Sequence, residues 1–219
     1  MVTYEMVREN TDIRTYITKA DQTLIALGYT EHSFSHVGKC AKTAGDLLLE
    51  LGYSERTTEI ARIAGFMHDI GNVVNRIDHA QSGALMAFRL LDKMGMGADE
   101  LSTVITAIGH HDESTAFPVH EVAAAVILAD KSDVRRSRVR NPDLANFDIH
   151  DRVNYAVEKS ELKLRSAEST ITLDIDIDSS ISNVMDYFEI FLGRMLLCRR
   201  AADYLGLKFQ LIINGSSLL

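Results

Sequence analysis

Little in this sequence suits export, membrane crossing or the grip of a polyanion. Only two cysteines occur, Cys40 and Cys198, each within a helical pattern and far apart. That usage argues against a disulfide framework and suits buried thiols in a reducing compartment. No apolar run approaches the roughly 18 to 20 residues that span a bilayer, and the opening MVTYEMVREN lacks the basic and apolar segments of a secretory signal. A cytoplasmic location without membrane contact is the expectation. Positive charge is scarce too: a net charge of -8 argues against a general nucleic-acid surface, because phosphate backbones repel an acidic protein. Two prolines, no internal repeat and no low-complexity run leave no flexible linker between parts of the chain. What is present is an ordinary globular composition, 46% hydrophobic and 25% charged over 219 residues, enough for one substantial core.

Periodicity near 3.6 dominates the first three-quarters. TDIRTYITKADQTLIALG reads as a helix stopped by Gly28, and EHSFSHVGKCAKTAGDLLLELG as one stopped by Gly52, with His32 and His36 spaced i, i+4 on one face. SERTTEIARIAGFMHDIG follows, with Ser54 as cap and Gly71 as terminator. Three more helices are predicted: one from near Asp78 to Gly95, one over ADELSTVITAIGHH, and one running from Pro118 into the basic segment KSDVRRSR. After about residue 158 the rhythm changes to period two in SELKLRS and STITLDIDID, then a long helix precedes the strand-like KFQLIING. The predicted architecture is mainly α: a helical bundle over residues 1–157 with a small C-terminal α/β appendage, 158–219, packed on it.

One stretch breaks the apolar logic. GFMHDIGNVV sets His68 and Asp69 at the inner end of a buried helical run, where an unpaired carboxylate costs several kcal/mol. Backbone amides of the following turn could satisfy Asp69, with His68 an ordinary core histidine. The other histidines favour a different explanation. His32, His36, His79, His110 and His111 fall near helix ends, and AAAVILADKSD delivers a second acid, Asp130, after another apolar run. A metal shared between helices explains the whole set most economically.

The order His36, His68-Asp69, His79, His111, Asp130 resembles the HD-domain superfamily of metal-dependent phosphohydrolases, over roughly residues 30 to 140. HDIG, HAQSG and AIGHH are similar to its binuclear branches, which include bacterial dinucleotide polyphosphate hydrolases and cyclic-di-nucleotide phosphodiesterases. The resemblance implies an HD-type helical bundle in which His36, His68, Asp69 and Asp130 bind a first metal, with Asp69 bridging as the catalytic carboxylate. His79 and His111 would serve the second, with His110 an alternative register and His32 a ligand or a supporting group. Two departures stand out: Asn72 occupies a position where many relatives carry lysine, and DESTAFP replaces the glycine-tyrosine-proline stretch of the cyclic-di-nucleotide branch, which is therefore disfavoured.

Phosphate hydrolysis needs hydroxide at neutral pH, an in-line approach and positive charge on the transferred group, and a metal pair supplies all three. Imidazole and carboxylate without thiolate favour iron or manganese, with zinc, cobalt or magnesium as alternatives. Lys131, Arg136 and Arg76 are the candidate contacts to a small phosphorylated substrate such as a nucleotide. Asp112 and Glu113 are either proton donors or exposed acids. Two other readings compete: a diiron oxygenase on the same ligand order, and a non-catalytic metal-containing sensor or interaction module. A homodimer joined through a sheet edge is compatible with the pattern.

Overall fold

The computed structural model describes residues 1–218. Seven helices come first: α1 (Tyr4–Glu9), α2 (Thr11–Ala26), α3 (Phe34–Glu50), α4 (Glu55–Met67), α5 (His79–Lys93), α6 (Ala98–Gly109) and α7 (Glu121–Lys131). A short α8 (Ile149–Ala156) leads into β1 (Val157–Arg165), β2 (Thr170–Ile177), α9 (Val184–Tyr204), β3 (Lys208–Ile213) and β4 (Ser216–Ser217). The predicted helical bundle with a small α/β appendage is the architecture observed. Among the described residues, no helix is long and apolar enough to cross a membrane.

α7 organises the bundle. Every residue from Val122 to Ala129 is buried, so this helix is apolar on all sides and lies within the core. It packs against α3, α4 and α6 on the bundle side and against α9 from the C-terminal part. The sheet runs β1-β2-β3-β4, with β2 and β3 parallel and α9 as their crossover; the other pairs are antiparallel. Ile171, Leu173 and Ile175 of β2 and Phe209, Leu211 and Ile213 of β3 join Tyr187, Phe191 and Met195 of α9 in the same core cluster as the bundle. Both parts therefore share one apolar interior.

Several boundaries differ from the sequence expectation. α3 begins at Phe34 because the Ser33 hydroxyl accepts from the Ser35 amide, which leaves His32 outside the helix. α4 stops at Met67, before Gly71, and a 3-10 turn (Ile70–Val73) carries the chain onward. α7 is capped by His120, whose Nδ1 accepts from the Ala123 amide, and ends at Lys131. The arginine run therefore lies outside the helix. α1 and α8 are additional elements, too short to leave a periodic signal.

Candidate metal centre

Five segments aim a side chain at one volume, and close backbone approaches bring them there. A Cβ on Gly65 would sit 3.0 Å from the Ala41 Cα, so only glycine lets the last turn of α4 approach α3 this closely. His36 and His68 consequently face each other with ring centroids 5.2 Å apart. A Cβ on Gly71 would lie 2.0 Å from the His79 carbonyl oxygen and 2.5 Å from the Gly83 nitrogen. The bare glycine lets the start of α5 press against the His-Asp turn and deliver His79. α6 ends at Gly109, after which His111 turns inward and is buried, and α7 supplies Asp130 from its last turn.

Asp69 lies at the middle of the set. Its Oδ2 is 3.2 Å from His68 Nε2 and 3.6 Å from His36 Nε2, and Asp130 Oδ1 lies 3.7 and 3.3 Å from the same two nitrogens. Its Oδ1 faces the other way, 3.4 Å from His79 Nε2 and 3.8 Å from His111 Nε2. The two carboxylate oxygens thus each meet a separate donor set. Asn72 fixes this pose by donating from Nδ2 to the Asp69 carbonyl and to its Oδ1, both at 2.9 Å. The residue that replaces the familiar lysine orients a ligand from within the core.

Hydrogen bonding at the far side of each ring decides what the site can hold. Nδ1 of His68 contacts the Gly65 carbonyl at 2.8 Å, Nδ1 of His79 the Arg76 carbonyl at 3.0 Å, and Nδ1 of His111 the Ile108 carbonyl at 2.6 Å. A carbonyl only accepts, so each Nδ1 carries a proton and each neutral ring presents a bare Nε2 lone pair to the site. His36 Nδ1 donates to the buried Asp133 Oδ2 at 2.8 Å, with the same consequence. His68 Nε2 is buried without a hydrogen-bond partner. His79 and His111 bring their Nε2 atoms within 3.1 Å of each other. Two facing lone pairs repel, and a cation beside them removes that repulsion; the residues present therefore fit metal ions.

The titration shifts describe the same demand for positive charge. Burial alone would lower the His68 pKa, but Asp69 and Asp130 raise it to about 10, so a proton and a metal ion compete for the same Nε2 position. Burial would raise Asp69, yet His68 and His111 hold it well below the usual carboxylate range; Asp130 is held down likewise by Lys131 and His36. At the other end burial, His111 and Arg76 push His79 down to about 4, against the pull of Asp69, which leaves a neutral ring ready to donate its lone pair.

Other predicted residues fall in varied places. His110 stays outside the cluster: it is the C-cap of α6, and its imidazole interacts with His120. His32 reaches the His36 ring at 5.4 Å between centroids, from the loop. Lys131 is buried, with Nζ 2.7 Å from Asp130 Oδ2 and 3.0 Å from Glu113 Oε2, so its charge is engaged by two carboxylates. Arg136 points elsewhere, donating to the Tyr155 carbonyl at 2.6 Å and lying over the Tyr155 ring, because the chain has left the helix. Arg76 is at the site, its Nη1 lying 3.2 Å from His79 Nε2. Asp112 Oδ1 lies 3.9 Å from the same nitrogen. Glu113 is pulled down to about 2 against burial by Lys131 and Arg194, whose Nε is 2.5 Å from Glu113 Oε1.

Sequence reasoning missed Asp133 and Arg194, and within the basic run it favoured Arg136 over Arg138. Asp133 braces His36 and receives Lys39 at 2.8 Å and Arg135 at 3.0 Å; its position three residues after Asp130 was the available signal. Cys40 also touches the cluster, but its Sγ lies 3.7 Å from both nitrogens of His36, against the ring, and burial with Asp130 keeps the thiol protonated. Its sulfur nonetheless stands with donor atoms of His36, His68 and Asp130 that all lie within 4.8 Å of one another, close enough to share an ion. A hollow of about 720 Å³ near Tyr4, Arg14 and Arg62 is lined by none of the clustered residues.

A family model of the HD domain matches residues 33–145, more than half of the chain and every residue of the cluster. The chain belongs to the HD-domain superfamily of metal-dependent phosphohydrolases. This HD domain is also similar to the uncharacterized protein MJ1020 of Methanocaldococcus jannaschii, at 25% identity over 210 residues, covering 85% of this chain and 79% of that one. The likeness is longer than the matched family segment, so it extends beyond the HD domain itself.

Proposed function

We propose that this HD domain hydrolyses a phosphate ester or anhydride of a nucleotide or similar small compound with divalent cations that His36, His68, Asp69 and Asp130 on one side and His79 and His111 on the other would hold. The observation that carries the reading is the division of one carboxylate between two sets of bare imidazole nitrogens, His36 and His68 beside Oδ2 and His79 and His111 beside Oδ1. Cations held there would supply a hydroxide at neutral pH and absorb the negative charge that gathers on the transferred phosphoryl group. A donor set made mostly of imidazole and carboxylate supports iron or manganese as the native metal.

The chain's own groups complete the arrangement. Asp133 and three backbone carbonyls hold the four imidazoles in one tautomer, and Asn72 keeps both oxygens of Asp69 directed. Arg76 offers a guanidinium beside His79, suited to a phosphate oxygen. Asp112, partly exposed at the rim, is placed to carry the proton that the leaving oxygen needs.

Elemental analysis of protein purified without chelator, followed by a phosphate-release screen with iron or manganese in air and under anaerobic conditions, tests this. Bound metal with phosphate release that survives removal of oxygen supports the reading. Fully metallated protein that releases no phosphate from any nucleotide or sugar phosphate rejects it.

A further inference from the structure

Asp130 divides its two oxygens between opposite partners. Oδ1 turns inward, 3.3 Å from His36 Nε2 and 3.7 Å from His68 Nε2, while Oδ2 lies 2.7 Å from Lys131 Nζ. Consecutive residues point about 100° apart around a helix, so adjacent side chains do not ordinarily face each other. A further group must hold the lysine against its neighbour. Glu113 does so: its Oε2 accepts from Lys131 Nζ at 3.0 Å, and its Oε1 lies 2.5 Å from Arg194 Nε on α9.

Lys131 is only 4% exposed. Burying an ammonium group costs several kcal/mol, and an exposed cation would offset the charge of Asp130 with less desolvation. The contact is more specific than charge balance demands, because it takes one particular oxygen. Asp69 is treated differently. Its Oδ1 accepts from the neutral Asn72 amide at 2.9 Å, and each of its oxygens still faces a pair of imidazoles.

A carboxylate can bind a cation through one oxygen or chelate it through both. On the His36 and His68 side, Asp69 and Asp130 each direct one oxygen at the two imidazole nitrogens. An octahedral ion such as manganese accepts about six donors, so the positions left beside these are few. Hydrolysis needs them for the attacking water and for a phosphoryl oxygen. An Asp130 that chelated would take one away.

We propose that Lys131 is a positioning residue: by holding Asp130 Oδ2 it limits that acid to one oxygen on the cation and keeps a coordination position open to water. Glu113 and Arg194 fix the lysine in that place. This inference rests on the metal centre proposed above and is independent of which phosphate compound is cleaved.

Lys131→Met keeps most of the side chain and removes the ammonium group. One equivalent of manganese is added to the full chain, wild type and variant, and inner-sphere water is counted by water-proton relaxation. The variant is expected to hold one water fewer and to bind manganese at least fivefold more tightly, as the freed oxygen joins the ion. An unchanged water count overturns the proposal: with tighter binding the lysine only balances charge, and with weaker binding it only braces the fold. If the variant does not fold, infrared difference spectra of wild type with and without manganese decide, the Asp130 bands being those lost in Asp130→Asn. The wide separation of carboxylate stretches that marks binding through one oxygen supports the proposal, and the narrow separation of a chelate overturns it. Phosphate release is followed separately and should fall at least tenfold in Lys131→Met. Loss of one water in a protein that never releases phosphate leaves the positioning role standing and removes the hydrolase reading, whereas release with an unchanged water count does the reverse.

Discussion

At its Oδ2 end Asp69 shares space with a second carboxylate, Asp130, and with two imidazoles, one of them braced by Asp133; at Oδ1 it meets His79 and His111, both braced by carbonyls, and the Asn72 amide, with the Asp112 carboxylate farther out, 3.9 Å from His79 Nε2. The first end therefore presents more negative charge to a cation, and Lys131 on the outer oxygen of Asp130 offsets only part of it. The second end has Arg76 alongside, which opposes a cation. A close carboxylate at one end and a more distant one, Asp112 at 3.9 Å from His79 Nε2, at the other leave the two ends unequal in their pull on a cation. We expect tight binding at the first end and weaker, more exchangeable binding at the second.

The substitution that abolishes the comparison is Asp69→Ala. It removes the carboxylate common to both ends, so elemental analysis should find little metal of either kind and phosphate release should fall to background while the helical circular dichroism persists. Retained turnover in that variant would contradict the metal mechanism. Asp130→Ala and His111→Ala then separate the ends: the first should empty the tight site, the second only the weak one, with metal titration showing one surviving event in each variant. The surviving event should be weak in Asp130→Ala and tight in His111→Ala; the reverse order would refute the charge argument. A smaller effect is expected from Asp133→Asn, which keeps the shape but weakens the brace on His36. Metal affinity at the first end should drop by roughly 10- to 100-fold with the second end unchanged. The least effect on metal is expected from Gly71→Ala, where the added methyl meets backbone at 2.0 Å. Destabilisation of about 1–3 kcal/mol, read from the urea midpoint, should accompany a displaced His79 and looser metal at the second end alone.

Most of the cluster was legible because it uses uncommon residue types at places where an apolar helix has no reason to end in an acid or an imidazole. His68, Asp69 and Asp130 stand out against their own segments for that reason. The choice between His110 and His111 was not legible: periodicity assigns neighbours to different faces, yet the register is settled by where α6 stops, at Gly109. The arginine run misled in a similar way. Its composition continues a helix, but the chain turns out of α7 after Lys131, which sends Arg136 to Tyr155 and Arg138 to the carbonyls of Glu31 and Asp133. Arg194 acquires its part only from a contact between elements far apart in sequence, which no local pattern encodes.

The chain of charges Arg194, Glu113, Lys131 and Asp130 runs from the crossover helix of the C-terminal sheet to the inner edge of the metal centre. Clipping the protein ahead of α9 would strip Glu113 of one counter-ion and unroof a lysine wedged behind a coordinating acid, leaving mismatched charges inside a greasy interior. The terminal quarter of the polypeptide is thus no detachable ornament, and a trimmed version of the bundle alone would be a poor stand-in for the intact molecule.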